Sequence, residues 1–333
     1  MILIDTQKEE FSKLRDIRVF GRISHDDRFN GNLLVIGLGG VGSRTVCNLK
    51  GMMVDDIIPE DNIHFLMIDS DIPEMEQTIE DSKEHVGFNA LEVLSIYRPN
   101  IENILADGIK KNPVHPNLAN WMDADFPDVT VTKDGAHGNR QIGRLMFSNA
   151  YEDIRMLLFD RLEEIHDKAN GNWMDVIIVS SLSGGTGSGI LSDLTYNIRA
   201  YGKAKKWANL RIGGCLLMPD VIFGNKSVTE DPELMFRMMA NGCAALKEVD
   251  YYMKLSEKDD AYIFESTTHK LVIRENLFDA CMLVSGKKDS QGYLPEGTVL
   301  MDTARFLYKL ACNKYIGNND VNDDRKLLRD VFF

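Results

Sequence analysis

Val176-Ile177-Ile178-Val179-Ser180-Ser181-Leu182-Ser183-Gly184-Gly185-Thr186-Gly187-Ser188-Gly189 runs from an apolar stretch directly into a loop with four glycines. A second junction of this kind lies upstream, where Leu33-Leu34-Val35-Ile36 leads into Gly37-Leu38-Gly39-Gly40-Val41-Gly42-Ser43. Each reads as a strand, a glycine-rich turn and the start of a helix. Glycine lets the backbone approach an anion closely, and the bare N–H groups at a helix start attract phosphate. One such loop is weak evidence. Two can grip different parts of one polyphosphate, so the chain reads as a nucleotide binder. Thr186 and Ser188 add hydroxyl donors to the second loop. The bland alternative is a tight strand–helix turn with close packing. Four glycines exceed what such a turn needs, and each costs chain entropy.

Outward from these loops, short apolar runs at 33–37, 64–69, 176–181, 211–218 and 280–285 read as strands covered on both faces. Amphipathic stretches separate them. Ile154, Leu157, Leu158, Leu162 and Ile165 share one helical face, as do Ile190, Leu191, Leu194, Ile198 and Tyr201. Strand, loop and helix in repeated order predict an α/β fold, a mostly parallel sheet with helices on both faces. Ligands of such sheets sit at the carboxyl ends of strands, where both glycine loops fall. The proline-bearing segment 98–135 and the segment 224–232 read as irregular, and 300–315 reads as a helix. The pairs Met238-Met239 and Tyr251-Tyr252 read as core.

The 333 residues carry 38 basic and 51 acidic side chains, a net charge of −13. That balance argues against sequence-blind nucleic-acid binding and against anionic membranes. No apolar stretch approaches the ~20 residues of a membrane span. Five scattered cysteines without a CxxC pair read as reduced thiols, so a cytoplasmic location is expected. The seven histidines show no metal-ligand spacing, and no protein-held metal site is expected.

Gly37, Gly39 and Gly42 fit GxGxxG, which taken alone suggests a dinucleotide-binding unit and an NAD(P)-dependent oxidoreductase. Asp69 ends the next strand but lies late for a ribose-binding acid, and this reading leaves Gly184–Gly189 without a role. Neither loop ends in GK[ST], so the chain is not a standard P-loop NTPase.

The same residues resemble the tubulin/FtsZ superfamily. Its signature GGGTG[ST]G stands here as Ser183-Gly184-Gly185-Thr186-Gly187-Ser188-Gly189, with serine for the first glycine. Asp69-Ser70-Asp71 stands where FtsZ has NTD. Gly135-Ala136-His137-Gly138-Asn139-Arg140-Gln141-Ile142-Gly143-Arg144 resembles the FtsZ loop GAGxNPxxGR. The bacterial tubulin-like proteins are most similar, through Ser181–Gly189 and through Asn241-Gly242-Cys243-Ala244-Ala245-Leu246-Lys247-Glu248-Val249-Asp250-Tyr251-Tyr252-Met253.

The resemblance implies a Rossmann-type GTPase domain that binds GTP or GDP with Mg²⁺. It assigns Gly39, Gly40, Gly42 and Ser43 to a first phosphate loop and Gly184, Gly185, Thr186, Gly187 and Ser188 to the main one. Asp71, Gly138, Asn139 and Arg144 would flank the site, with Asn139 and Arg144 near the terminal phosphate. Arg237 is a candidate ribose or base-edge contact. Asp302, Thr303 and Phe306 lie on the segment expected to meet the base. In the superfamily a loop reading NxDxx[DE] completes hydrolysis in the next subunit. Asn318, Asp320 and Asp323 match it, and a carboxylate there would orient the attacking water. The implied partner is therefore a second copy, in an oligomer or filament, with a further protein partner possible. A non-hydrolysing GTP-binding scaffold is the alternative.

Three parts are expected: an N-terminal extension over 1–30, a nucleotide-binding domain over 31–299, and a central helix with an acidic loop over 300–333. A following domain would begin where this chain ends.

Overall fold

The structure, a computed structural model, describes residues 3–4, 32–55, 63–82, 86–106, 121–122, 133–266, 269–288 and 292–311. Along these residues the strands are β1 (Leu3–Ile4), β2 (Asn32–Leu38), β3 (Ile63–Asp69), β4 (Val93–Ser95), β5 (Met174–Ser181), β6 (Leu210–Leu217), β7 (Tyr262–Glu265), β8 (Lys270–Ile273) and β9 (Ala280–Val284). All but β7 and β8 join one sheet in the order β1-β9-β6-β5-β2-β3-β4, and every pairing in it is parallel. β7 and β8 form a separate antiparallel hairpin.

The helices are α1 (Gly39–Asp55), α2 (Ile72–Glu80), α3 (Ile101–Ala106), α4 (Arg140–Asn149), α5 (Tyr151–Ala169), α6 (Thr186–Ala204), α7 (Lys226–Thr229), α8 (Pro232–Tyr252) and α9 (Glu296–Ala311). The five strands expected from sequence are all present, as are α5, α6 and the helix ending the described chain. That helix starts earlier than expected, at Glu296 rather than Leu300.

The period of two along β2 explains the layers. Leu34, Ile36 and Leu38 are buried against Ile142, Leu145, Ile154, Leu158, Ile190 and Leu194 of α4, α5 and α6. Val35 faces the other way, with Val46, Leu49 and Met53 of α1 and Val299, Leu300 and Leu307 of α9. Burial of each such side chain contributes about 1.5–3 kcal/mol. In α5, Ile154, Leu158, Leu162 and Ile165 recur every three or four residues and are buried, and the helix stops at Asn170 in a left-handed conformation (φ 49°).

The segment 224–232 is not the loop expected. It holds the single-turn α7, and Asp231 caps α8 by accepting from the Glu233 and Leu234 amides, with Pro232 in the first turn. Within 98–135, residues 101–106 form α3. Of the expected extension over 1–30, only Leu3–Ile4 is described, and it adds a strand beside β9. Among the described residues no helix is long and apolar enough to cross a membrane.

The topology positions the site. β2 and β5 are neighbours, but their successors leave in opposite directions: β2 leads through α1 to β3, and β5 through α6 to β6. α1 covers one face and α6 the other. The loops after β2 and β5 therefore diverge around a crevice, the place where open α/β sheets bind ligands.

Candidate functional site

Leu38 is registered against Ser180, so the two glycine loops leave the sheet at the same level. Gly39 opens α1 at φ +69°, a conformation side-chain-bearing residues rarely adopt. A Cβ on Gly187 would lie 2.5 Å from the Leu38 carbonyl oxygen, and one on Gly185 would lie 2.6 Å from the Asn139 nitrogen. Close packing thus requires glycine at these two positions, which accounts for part of the glycine richness. Gly184 differs, because a Cβ there would meet nothing within 4 Å. It lines an open cleft of about 520 Å³ together with Gly39, Gly40, Gly185, Thr186 and Gly187.

The start of α6 is aimed at this cleft. Gly185 stands at its cap position, and no side chain caps it. The neighbouring helices differ: Asn139 caps α4, Asp71 caps α2 and Asp231 caps α8. First-turn amides have no acceptor within their own helix and carry the positive end of its dipole. At α6 no side chain takes them. Ser70 Oγ and Thr186 Oγ1 are 2.5 Å apart, which fixes the first residue of α6 to the end of β3.

One wall is acidic. Asp69, Asp71 and Glu74 all line the cleft. Asp69 is 2% exposed; its Oδ1 accepts from the Ser70 and Asp71 amides at 2.7 and 3.3 Å, while its Oδ2 has no partner among the described residues. Burial, reinforced by the charge of Glu74, pushes its pKa up to about 7. Burial also raises Glu74, against the pull of Arg44. Among the described residues no three His, Cys, Asp or Glu side chains group to hold a metal ion alone. The set does suit a hard cation that takes one or two carboxylates and completes its shell from phosphate and water.

The cleft also holds a network that the sequence did not reveal. Arg44 of α1 donates to Glu296 of α9 at 3.1 Å, and Asn225 donates to the other Glu296 oxygen at 2.7 Å. Glu296 is 8% exposed. Among the described residues each of its oxygens has one side-chain donor, and a carboxylate can accept about two more. Ile222, Val228, Leu234 and Met238 supply apolar wall, so Met238 is cleft lining rather than core. Asn241 Nδ2 donates to both the Gly138 and Ser183 carbonyls, at 2.7 and 2.9 Å, and ties the 135–139 loop to the main glycine loop. Only contacts distant in sequence reveal these roles.

Nine residues expected at the site line this one cleft: Gly39, Gly40, Asp71, Gly138, Gly184, Gly185, Thr186, Gly187 and Arg237. Arg237 donates to the His137 carbonyl at 3.2 Å. Five others lie elsewhere. Gly42 packs against Gly37, and Ser43 is buried, its hydroxyl without a hydrogen-bond partner among the described residues. Asn139 uses its side-chain oxygen on the Gln141 and Ile142 amides. Arg144, one turn into α4, is drawn to the buried Asp193 of α6 (2.8 and 3.1 Å) and lines a different cavity with Ser188. Thr303 is buried and bonds the Val299 carbonyl, Phe306 belongs to the core, and Asp302 pairs with Arg305, so none of these three lines the cleft. Asn318, Asp320 and Asp323 lie outside the described residues.

Comparison with known proteins adds a family. The sequence profile of the family described as "Tubulin like" matches residues 34–316. No curated protein matches the chain. Among solved structures, CetZ from Methanosaeta thermophila strain DSM 6194 is 15% identical, with a TM-score of 0.45 over 90% of this chain and 61% of that one. CetZ2 from Haloferax volcanii, solved as a GTPγS-bound protofilament, is 12% identical, with a TM-score of 0.44 over 86% and 60%. TubZ from Bacillus thuringiensis serovar israelensis, a GTPγS-form protofilament, is 12% identical, with a TM-score of 0.42 over 91% and 62%. The chain thus spans about six tenths of the length of these proteins.

Proposed function

The chain belongs to the tubulin-like family, and on that footing we propose that its cleft binds GTP and that self-association drives hydrolysis to GDP. The observation that carries this reading is the convergence of two glycine loops on the uncapped start of α6.

The triphosphate lies against the amides of Gly184–Gly187, with Gly39 and Gly40 beside them. The helix dipole and unpaired N–H groups favour its negative charge. Asp69, Asp71 and Glu74 would repel bare phosphate. Asp69 and Asp71 are the residues that would hold Mg²⁺, which when bound neutralises charge on the phosphate oxygens. Asp69 meets this role with its unpartnered, buried Oδ2.

The base reaches the Arg44–Glu296–Asn225 end. The free acceptor positions of Glu296 match the N1–H and 2-amino donors of guanine, and Arg44 matches its O6 acceptor. Arg237 stands at the wall for the ribose or base edge. The hydrolytic water is oriented by Asp320 and Asp323, with Asn318, reaching from a second copy, as the family resemblance implies.

GTP turnover per molecule, measured as protein concentration rises, tests the reading. It should climb with concentration and fall in Asp320→Ala and Asp323→Ala. Constant specific activity contradicts catalysis by self-association. Tight GTP binding with no turnover at any concentration supports the scaffold instead.

A further inference from the structure

A second cavity, of about 410 Å³, lies on the other side of the first turns of α6. It shares no lining residue with the nucleotide cleft. Gly185, Thr186 and Gly187 face the cleft, and Ser188 and Gly189, next in the same helix, face this cavity. α4, α8 and β7 close its sides.

The polar groups here are out of balance. Both oxygens of Glu248 accept from Arg140, and both oxygens of Asp193 accept from Arg144. Tyr262 donates its hydroxyl to Asp193 as well. The carboxylates are therefore engaged. Donors are left over: Ser188 Oγ and Arg140 Nε are buried with no partner among the described residues. Ser188 is 3% exposed, so leaving its hydroxyl unpaired costs about 1–3 kcal/mol. Surplus donors call for a ligand rich in acceptors.

The walls specify its shape. Trp121, Tyr252 and Tyr262 line the cavity, with the Arg144 guanidinium 4.7 Å over the Trp121 ring. Tyr252 and Tyr262 meet edge to face, with ring centroids 5.1 Å apart. Such walls favour a flat apolar body, and the volume falls in the ~300–1,000 Å³ range of small-molecule sites. We infer that this cavity is a second binding site, for a small aromatic carboxylate or phosphate whose anionic end meets Ser188 and Arg140.

The test is calorimetric titration of the whole chain with indole-3-acetate and phenyl phosphate, using uncharged indole-3-ethanol as control. Both anions should bind, and indole-3-ethanol should bind at least about tenfold more weakly. Ser188→Ala should weaken the anions by about tenfold, and Ser192→Phe, which fills the cavity from α6, should abolish binding. Thermal melts establish that each variant is folded. Should Ser192→Phe not fold, Ser188→Ala and the uncharged control decide. No heat from either anion, equal affinity for indole-3-ethanol, or anion binding unchanged in Ser188→Ala would overturn the assignment.

Discussion

Gly39 and Gly187 press the two loops of the cleft together: a Cβ on Gly39 would lie 3.0 Å from the Gly187 nitrogen. One loop follows β2 and the other opens α6, so this contact joins them into one surface of the cleft.

Gly184 and Gly187 should therefore respond differently to alanine. Gly187→Ala sets a methyl against the Leu38 carbonyl and Ser180 Oγ, and overpacking of this kind costs about 1–3 kcal/mol. It should lower the melting temperature and weaken GTP. Gly184→Ala meets open space, so stability should stay within about 0.5 kcal/mol, while GTP affinity should fall because Gly184 lines the cleft. Thermal melts with and without GTP separate the two.

Asp69 should make the nucleotide-free protein pH-sensitive. Its folded pKa, about 7, lies above the usual 3.8 of an aspartate, so the folded state holds the proton more tightly than the unfolded one. Stability should fall as pH rises from about 4 through about 7, by at most about 4 kcal/mol, and then level off. Asp69→Asn should flatten that slope. Mg²⁺ with GTP should stabilise most above pH 7, where Asp69 is charged. Melting curves from pH 5 to 8 check the sign.

The Arg44–Glu296 pair should govern base choice. Glu296→Ala leaves Asn225 without this acceptor and removes the site matched to the 2-amino group of guanine. GTP affinity should drop about tenfold, and its preference over inosine triphosphate, which lacks that amino group, should vanish. Competition binding of the two nucleotides reads this directly.

Arg144 should prove a stability residue. Its guanidinium is held by the buried Asp193 rather than by the cleft. Burial opposes its charge, but Asp193 keeps it firmly protonated. Arg144→Met leaves the buried Asp193 carboxylate with only the Tyr262 hydroxyl among the described residues, and breaking such a pair costs about 3–5 kcal/mol. The melting temperature should fall sharply, with the GTP dissociation constant of the folded fraction nearly unchanged.

The legible parts of this chain were the local ones. The runs beginning at Leu33 and Val176 and the glycines after them state strand, turn and helix within a few residues. Most of the expected cleft residues come from those loops. Arg144 is drawn away from the cleft by Asp193 on another helix, and a motif cannot say which way a side chain one turn into a helix points. Glu296 and Arg44 are 252 residues apart, so nothing local links them. β7 and β8 are four-residue strands with Glu265 and Lys270 in their pairing. They are ordered by packing Tyr262 and Phe264 onto Tyr196 and Phe147, which no period reveals. The capping pattern Asp231-Pro232-Glu233 was readable, but its turn-forming residues also fit a loop.

The most direct test strips the purified protein of nucleotide and titrates it with GTP, ATP and NAD(P) at equilibrium, with Gly184→Val alongside. The account predicts that GTP binds in preference to the others and that Gly184→Val loses it while remaining folded. Preferential NAD(P) binding, or no nucleotide binding by the folded chain, would contradict the claim that the paired glycine loops form a GTP site.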